Sequence, residues 1–407
     1  MKKFLKLLVS ASMLLTLAAC GGKDDQPEVP SEVTLKVWAS QNDQAMTQEM
    51  VDAWVKEQET AYPDTKWTVT LGVVGEPDAA KTLLDDPTAG ADVFAFPNDQ
   101  LRTLVNAGAL AKVTRNAEDI KSRNGAGAVE SATFDGQLYA YPMTADNGYF
   151  LYYDSSVLTE EDVKTVDGLM TAADKAGKKV LMDLANGWYV ASFFFATGGR
   201  LGLDENGNQT CDFNNAEGLI AGEGLKVFTG ANAYINGDDN VLKAGFQDGT
   251  IAAGVSGTWN AADIESYLGE NYAAAKLPAF SVDGKEYQMS SFGGYKQMGV
   301  NSQSEFLVYA MDLADYLTNE ANQLKRFETM GYGPSNTNVA NSEAVQANPA
   351  LAALAAQSAY AVAQNDVLNP FWDAAKAFGQ TMINKDYSTP MQDLLDAMVN
   401  QIVTPAE

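Results

Sequence analysis

Two periodic patterns of apolar and polar residues alternate near the start of the chain. Apolar positions recur every second residue over 33–38 and 66–71, and a short apolar run follows over 91–96, which predicts three β-strands. Apolar positions recur about every 3.6 residues over 44–59 and 77–84, which predicts helices. This order of strand, helix, strand, helix and strand indicates βαβ units around a parallel sheet.

The same patterns continue toward the C-terminus. Helices are predicted over 98–107 and over the alanine-rich segment 344–363, and a hairpin with an Asp135-Gly136 turn is predicted over 134–139. A second set of strands is predicted at 149–153, 179–182 and 251–255. Roughly 375 residues follow the N-terminal segment, and this exceeds the size at which one hydrophobic core stops growing. Two lobes are therefore expected.

The parallel sheet also predicts where a ligand binds. Open α/β sheets hold ligands beyond the carboxyl ends of their strands. Residues 40–43 follow the first predicted strand and residues 97–100 follow the third. We therefore expect both segments to border a binding site.

The N-terminal segment is typical of a secretion signal. Lysines at positions 2, 3 and 6 precede an uncharged, mostly apolar run over 7–17, which is too short to span a bilayer. Leu17-Ala18-Ala19-Cys20 then resembles a bacterial lipoprotein signal, which is cleaved before the cysteine and lipidated on its sulfur. A signal peptide is therefore predicted at 1–19, followed by lipidated Cys20 and a flexible polar linker over 20–31. The alternative is an ordinary secretory signal with an incidental cysteine.

Composition excludes several classes of function. A formal net charge of -26 opposes binding to nucleic acid and to anionic lipid surfaces, so membrane contact is expected only through the lipid anchor. Histidine is absent, which excludes Ser-His and Cys-His nucleophile pairs and histidine-ligated zinc. Only Cys211 remains once Cys20 carries lipid, so no intramolecular disulfide is predicted.

One segment has partial similarity to a metal-binding loop. The acid and amides of 204–208 are spaced like the start of a calcium loop, but Gln209 stands where the loop requires glycine. We interpret this segment as a hairpin turn at Asn206-Gly207. No metal and no cofactor are predicted for the chain.

The six tryptophans fall into two groups by sequence context. Trp38, Trp54 and Trp67 have apolar neighbours on predicted strand or helix faces, which indicates core positions. The other three follow turn-like segments that contain glycine, asparagine or proline, which suggests exposure; they are Trp188, Trp259 and Trp372.

Exposed aromatic rings and carboxylates together are suited to sugars. Flat rings match the apolar C–H faces of a sugar, and carboxylates or amides match its hydroxyl edges. Asp43, Asp99, Asp146 and Asn186 are candidates for the second role. Such a set would also suit a glycosidase, which needs two carboxylates beside the scissile bond.

Six short motifs occur in the order in which a known family has them. They lie at 91–99, 107–110, 135–142, 254–259, 277–280 and 369–372. On these motifs the chain resembles the extracellular solute-binding proteins of ABC sugar importers, in particular the maltose/maltodextrin-binding proteins, over essentially the whole mature length. The resemblance implies a two-lobed α/β fold of the periplasmic-binding-protein type, a Venus flytrap with three hinge crossings near 144–147, 290–293 and 335–340.

The resemblance also implies domain bounds and a binding site. Segments 32–144 and 293–338 would form the N-terminal lobe, and segments 147–290 and 341–405 the C-terminal lobe. Sugar would bind in the cleft between them. The implied sugar-binding residues are Asn42, Asp43, Phe96, Asp99, Gln100, Asp146, Asn186, Trp188, Trp259, Trp372 and Asp373.

The chain departs from the maltose-binding pattern at four of these positions. Phe96 stands in place of a tryptophan and Gln100 in place of an arginine, which reduces stacking and removes a donor to sugar hydroxyls. Asn186 replaces an acid, and Asp373 replaces an aromatic residue.

These observations predict a monomeric, non-enzymatic binding protein, lipid-anchored on the extracellular face of the cell membrane, with a Gram-positive cell favoured. It is expected to capture malto-oligosaccharides and to deliver them to the permease subunits of an ABC transporter. The alternatives are a binding protein for another oligosaccharide, a surface glycosidase and a starch-binding adhesin.

Overall fold

The computed structural model describes residues 29–404, so the predicted signal peptide, Cys20 and most of the predicted linker lie outside the described residues. The strands are β1 (Glu32–Ala39), β2 (Lys66–Val73), β3 (Val93–Pro97), β4 (Thr133–Phe134), β5 (Gln137–Leu138), β6 (Ala140–Thr144), β7 (Phe150–Asp154), β8 (Lys179–Leu181), β9 (Leu201–Leu203), β10 (Gln209–Cys211), β11 (Tyr234–Ile235), β12 (Ile251–Ser256), β13 (Tyr272–Ala275), β14 (Ala279–Val282), β15 (Lys285–Gln288), β16 (Ser291–Gly293), β17 (Lys296–Val300) and β18 (Ala361–Ala363).

The α-helices connect and cover these strands. They are α1 (Gln44–Ala61), α2 (Ala79–Asp85), α3 (Leu101–Asn106), α4 (Ala117–Arg123), α5 (Ala126–Ser131), α6 (Val166–Lys175), α7 (Gly187–Thr197), α8 (Ala216–Gly230), α9 (Asp239–Gln247), α10 (Ala261–Leu268), α11 (Leu307–Leu317), α12 (Glu320–Met330), α13 (Thr337–Ala340), α14 (Glu343–Gln346), α15 (Pro349–Ser358), α16 (Pro370–Ile383) and α17 (Met391–Val403). Within residues 29–404, no helix is both long and apolar enough to cross a membrane.

The first lobe is built on a five-stranded sheet with the order β2-β1-β3-β17-β6. β1 pairs in parallel with both β2 and β3, which confirms the predicted βαβ arrangement. β17 enters from a distant part of the chain and runs antiparallel to β3 and β6. The start of β17 therefore lies at the carboxyl ends of its two neighbours.

The core of the first lobe follows the predicted pattern. Alternate residues of β1 are buried along its first half, whereas every residue of β3 is buried between its neighbours. Trp38, Trp54 and Trp67 are all buried, as predicted. The Trp54 indole N–H donates to Asp312 Oδ2 at 2.9 Å, and its ring meets that of Trp67 edge to face at 5.5 Å. This hydrogen bond satisfies the one polar atom of a fully buried side chain.

The second lobe is built on another five-stranded sheet, with the order β11-β8-β12-β7-β13. β8 pairs in parallel with β11 and β12, and β7 is antiparallel to β12 and β13. α7 is buried along most of its length and packs against α8 and α16. Gly198 ends α7 with a φ of 99°, a left-handed conformation that glycine adopts without steric penalty.

Three connecting segments link the two lobes side by side, namely 145–149, 294–295 and 331–336. The Ala145 N–H donates to the Gly333 carbonyl at 2.8 Å. The Asn147 N–H donates to the Gly294 carbonyl at 3.2 Å. The first segment is therefore hydrogen-bonded to both of the others.

Two predicted turns are confirmed. Asp135 and Gly136 have φ values of 48° and 73°, as a tight hairpin turn between β4 and β5 requires. Asp204 Oδ1 accepts from the N–H groups of Asn206 and Asn208, both at 2.8 Å, in the turn between β9 and β10. The Asp204 carboxylate is thus used to hold the turn.

The prediction of one helix over 344–363 is wrong in part. α14 ends at Gln346, and α15 starts anew after Asn348, whose Oδ1 accepts from the Leu351 N–H at 3.1 Å. Proline is well suited to the first turn of a helix, so Asn348-Pro349 begins a helix where the alanine pattern continues. Residues 361–363 then form β18 beside β16, because strand pairing overrides the helix propensity of alanine.

Candidate functional site

Asp43 lies beyond the carboxyl end of β1, just before α1. Its side chain is buried, and the Tyr332 hydroxyl donates to Oδ1 at 2.7 Å. Burial and the nearby Glu76 carboxylate raise the pKa of Asp43, while Lys296, the Tyr332 hydrogen bond and Arg326 oppose this shift. The carboxyl is held in one orientation at the edge of the sheet.

Asp146 lies in the first connecting segment and is also buried. Its Oδ2 accepts from Thr258 Oγ1 at 2.5 Å and from the Gly333 N–H at 2.7 Å. Thr258 follows β12 of the second lobe, and Gly333 belongs to the third connecting segment. Asp146 therefore joins three separate parts of the chain at the junction of the lobes.

Trp188 and Trp259 come together although 71 positions separate them in sequence numbering. Their ring centroids are 5.9 Å apart and the rings are tilted by 38°. Trp188 starts α7, where the Tyr149 ring supports it at 4.5 Å, and Trp259 follows β12, where its indole N–H donates to Asp239 Oδ2 at 2.8 Å. Both side chains are half-buried. The pair forms an aromatic surface of fixed geometry.

Trp372 lies close to this pair without stacking on either ring. It is half-buried at the start of α16 and packs against Phe371 at 4.9 Å and Phe292 at 5.7 Å. A Cβ on Gly187 would lie 2.8 Å from the Trp372 carbonyl oxygen, so the starts of α7 and α16 are in contact. Trp372 is therefore beside the helix that carries Trp188.

Asp99 follows β3 and reaches the aromatic pair through one intermediate side chain. Gln364 Nε2 donates to Asp99 Oδ1 at 2.9 Å, and Gln364 Oε1 accepts from the Trp188 indole N–H at 2.8 Å. Desolvation raises the pKa of Asp99 to about 7, although hydrogen bonds from its own backbone N–H and from Gln364 oppose the shift. We refer to Asp43, Asp99, Asp146, Trp188 and Trp259 as the interlobe site.

Lys296 brings a positive charge to the interlobe site. Its Nζ lies 3.5 Å from Glu76 Oε1 and 5.1 Å from the centroid of the Trp259 ring. Burial acts to lower the pKa of Lys296, but the carboxylates of Glu76, Asp146 and Asp43 raise it above its ordinary value. The ammonium therefore remains charged among these acids.

Two predicted sugar contacts are wrong for this structure. The Phe96 ring is fully buried and packs on Phe94 with centroids 5.4 Å apart, so no face is left for a ligand. The Gln100 side chain is used at the start of α2, where Oε1 accepts from the Ala80 N–H at 2.9 Å and Nε2 donates to the Pro77 carbonyl at 2.7 Å. Both side chains serve the packing of the first lobe.

Asn42, Asn186 and Asp373 are exposed near the starts of helices, and their roles in binding stay predictions. Asn186 Oδ1 accepts from the Trp188 N–H at 3.0 Å and caps α7. This cap fixes the backbone that carries Trp188.

Lys296, Glu76 and Gln364 were missed in the sequence. No motif marks them, because each reaches the site through contacts between residues more than 200 positions apart, such as Lys296 with Glu76 and Gln364 with Asp99. The only available signal was their position next to segments that the predicted topology placed at the site.

Comparison with known proteins gives a consistent family. Residues 53–353 match the sequence profile of a family described as bacterial extracellular solute-binding protein. A galactooligosaccharide-binding protein of Bacillus subtilis (strain 168) is 29% identical over 410 residues, covering 94% of this chain and 92% of that protein. A maltooligosaccharide ABC transporter solute-binding lipoprotein of Streptococcus pneumoniae (strain ATCC BAA-255 / R6) is 26% identical over 344 residues, covering 79% and 78%.

A solved structure shares the fold. The maltodextrin binding protein MalE1 from L. casei BL23, without ligand, superposes with a TM-score of 0.76 and 28% identity, covering 92% of this chain and 100% of that one. The predicted two-lobed α/β fold is confirmed by this likeness.

Proposed function

Because the chain belongs to the family of bacterial extracellular solute-binding proteins, we propose that it captures a malto-oligosaccharide between its lobes and delivers it to the permease of an ABC importer. The family inferred from the six sequence motifs is confirmed. The observation that carries the ligand proposal is the tilted pair of Trp188 and Trp259, which has three aspartates around it.

The proposed binding mode uses the two chemical faces of a sugar. Trp188 and Trp259 stack on the apolar faces of neighbouring glucose rings, with Trp372 contributing beside α7. Each stacked ring adds about 1 kcal/mol, by analogy with aromatic pairs. Asp43, Asp99 and Asp146 accept hydrogen bonds from sugar hydroxyls, each worth about 1.5 to 3 kcal/mol when the acceptor is charged.

The proposed transport step is a closure of the lobes. The hinges lie near 144–147, 290–293 and 335–340, and they separate an N-terminal lobe of 32–144 and 293–338 from a C-terminal lobe of 147–290 and 341–405. Sugar shifts the equilibrium only because the closed form binds it more tightly. The closed, loaded form is the one offered to the permease.

The proposed location is the outer face of the membrane, where lipid on Cys20 holds a monomeric, non-enzymatic protein near its permease. The lipobox-like run before Cys20 supports this proposal, and the S. pneumoniae relative is named a lipoprotein. A Gram-positive cell fits, because such a cell has no outer membrane to confine a free binding protein.

A second ligand class has its own support. The B. subtilis relative, which is 29% identical over 94% of this chain, is named for galactooligosaccharides. The interlobe site would offer the same stacking and acceptor groups to β-linked galactose rings.

Calorimetry with maltotriose and with β-1,4-galactotriose separates the two ligands, and micromolar or tighter binding of maltotriose is expected. Binding of galactotriose alone would replace the first proposal by the second. X-ray scattering should show a smaller radius of gyration with sugar, whereas a starch-binding adhesin would bind granules without closing. Maltoheptaose incubated with the protein should be recovered intact, and shorter products would indicate a glycosidase instead.

A further inference from the structure

The strand register places Lys296 at the centre of the carboxyl edge of the first sheet. As the first residue of the antiparallel β17, it lies opposite Pro97 at the end of β3 and Thr144 at the end of β6. Asp99 follows the first of these strands and Asp146 follows the second. The pairing with β6 is irregular between Lys296 and the next residue, and such a bulge can re-aim a side chain out of the regular pleat.

The Lys296 side chain is only 14% exposed, yet its hydrogen-bonding capacity is largely unused. An ammonium has three N–H donors. Within residues 29–404, its hydrogen-bonding partner is Glu76 Oε1, at a long 3.5 Å. The remaining donors are therefore available to a ligand that enters the interlobe site.

Aromatic rings hold the ammonium in position. Nζ lies over the Trp259 ring at 5.1 Å from the centroid and over the Tyr332 ring at 5.7 Å. Cations are attracted to such ring faces within about 6 Å. A sugar ring stacked beside Trp259 would bring its hydroxyl groups within reach of the same ammonium.

The acids at the interlobe site make a donor necessary. Asp43 and Asp146 are acceptors when ionised, and Glu76 adds a third carboxylate nearby. Each sugar hydroxyl both donates and accepts, so acceptors alone satisfy only half of its capacity. Gln100, which stands where the family has an arginine, is turned away into the start of α2.

We propose that Lys296 is a sugar-binding residue that donates hydrogen bonds to hydroxyls of the ring stacked on Trp259. This inference rests on the proposed function. Lys296 supplies the cationic donor that position 100 lacks, from another strand of the same sheet edge. The hydroxyls bound in this way accept from the ammonium and donate to Asp43 or Asp146.

The first test is calorimetric titration of Lys296→Met with maltotriose. Methionine keeps most of the side-chain length and removes the donors, so we expect affinity to fall at least tenfold. The matched control is Lys325→Met on α12, whose ammonium pairs with Glu49 at 2.6 Å on the surface, and its affinity should be unchanged. Lys296→Met with Glu76→Gln provides a second variant in which no carboxylate loses its partner.

The second test separates contact from a structural role. Monodeoxy analogues of maltotriose are titrated into the wild type and both Lys296→Met variants. We expect one deoxy position to weaken binding to the wild type several-fold and to have no further effect in the variants. Parallel losses for parent and deoxy sugars would show a structural role and overturn the inference.

The outcomes distinguish this inference from the proposed function. A wild-type protein that binds neither maltotriose nor galactotriose overturns both. A wild type that binds maltotriose, with Lys296→Met folded and equally tight, overturns only the role of Lys296. If neither methionine variant folds, Lys296→Arg is titrated with the deoxy series, and an unchanged pattern of losses would overturn the inference.

Discussion

Trp188 and Asp99 are the two ends of one hydrogen-bonded bridge through the Gln364 side chain. The indole N–H donates to the glutamine oxygen at 2.8 Å, and the glutamine amide donates to the carboxyl at 2.9 Å. One ring and one acid proposed to bind sugar therefore have their orientation set by the same residue. This fixed orientation lets substitutions at the interlobe site be tested separately from the stability of the fold.

Trp259→Ala is expected to weaken maltotriose binding at least tenfold without unfolding the protein. The ring is half-buried at the interlobe site, so its removal deletes a stacking surface and leaves the main cores intact. Calorimetry measures the affinity and thermal melting measures the fold. Tyr387→Ala removes an aromatic ring that is 36% exposed elsewhere and should leave affinity unchanged. Unchanged affinity in folded Trp259→Ala would contradict the assignment.

Asp99→Asn is expected to stabilise the protein at pH 8 more than at pH 5. The carboxyl titrates near 7 when folded, against an ordinary value of 3.8. The folded state therefore holds an extra proton in this window, and the free energy of unfolding of the wild type falls as pH rises through it. Asparagine does not titrate, so the variant should gain on the order of 1 to 3 kcal/mol at pH 8.

Urea unfolding at both pH values measures this difference. The exposed Asp64 is the control, and Asp64→Asn should show almost the same stability as the wild type at each pH. A difference between Asp99→Asn and the wild type that does not change with pH would refute the raised pKa of Asp99.

Gly333→Ala is expected to lower the melting temperature and to weaken sugar binding. An added Cβ would lie 2.8 Å from the Asp146 Cβ, closer than side chains pack. Relieving that overlap costs about 1 to 3 kcal/mol and separates two connecting segments. Gly202→Ala is the matched control, because its Cβ would meet no atom within 4 Å. Equal melting temperatures for the two variants would show that the segments tolerate the separation.

Cys211 is expected to be unreactive in the folded protein. Burial raises the pKa of its thiol to about 12, so very little thiolate exists at pH 8. With Cys20→Ala as background, Ellman's reagent should react at least a hundredfold faster in denaturant than in buffer. Rapid reaction of the native protein would mean that the thiol is less buried than the structure shows.

The sequence predicted the fold better than it predicted the site. β1, α1, β2 and β3 follow from periodicity because one face of each contacts the core. Position in a family motif correctly indicated that Asp43 and Asp146 lie near each other's strand ends. It failed for Phe96 and Gln100, because a motif does not say which side of a strand faces the core or which helix start needs a partner.

The missed residues have a common physical reason. Lys296 meets Glu76 across 220 positions and Gln364 meets Asp99 across 265, so their roles exist only after the sheets have assembled. Local patterns carry no information on such pairs. The bulge at Lys296 depends likewise on its pairing with β6.

The backbone hydrogen bonds among the connecting segments also suit the protein to use as a sensor. Ala145 is bonded to Gly333, and Asn147 to Gly294, so the described connections between the lobes run through one narrow strip. Such a strip favours rotation about a single axis. Two fluorophores on the outer surfaces of opposite lobes would then report sugar as one distance change, and mutations at the interlobe site would set the concentration range without altering the optical signal.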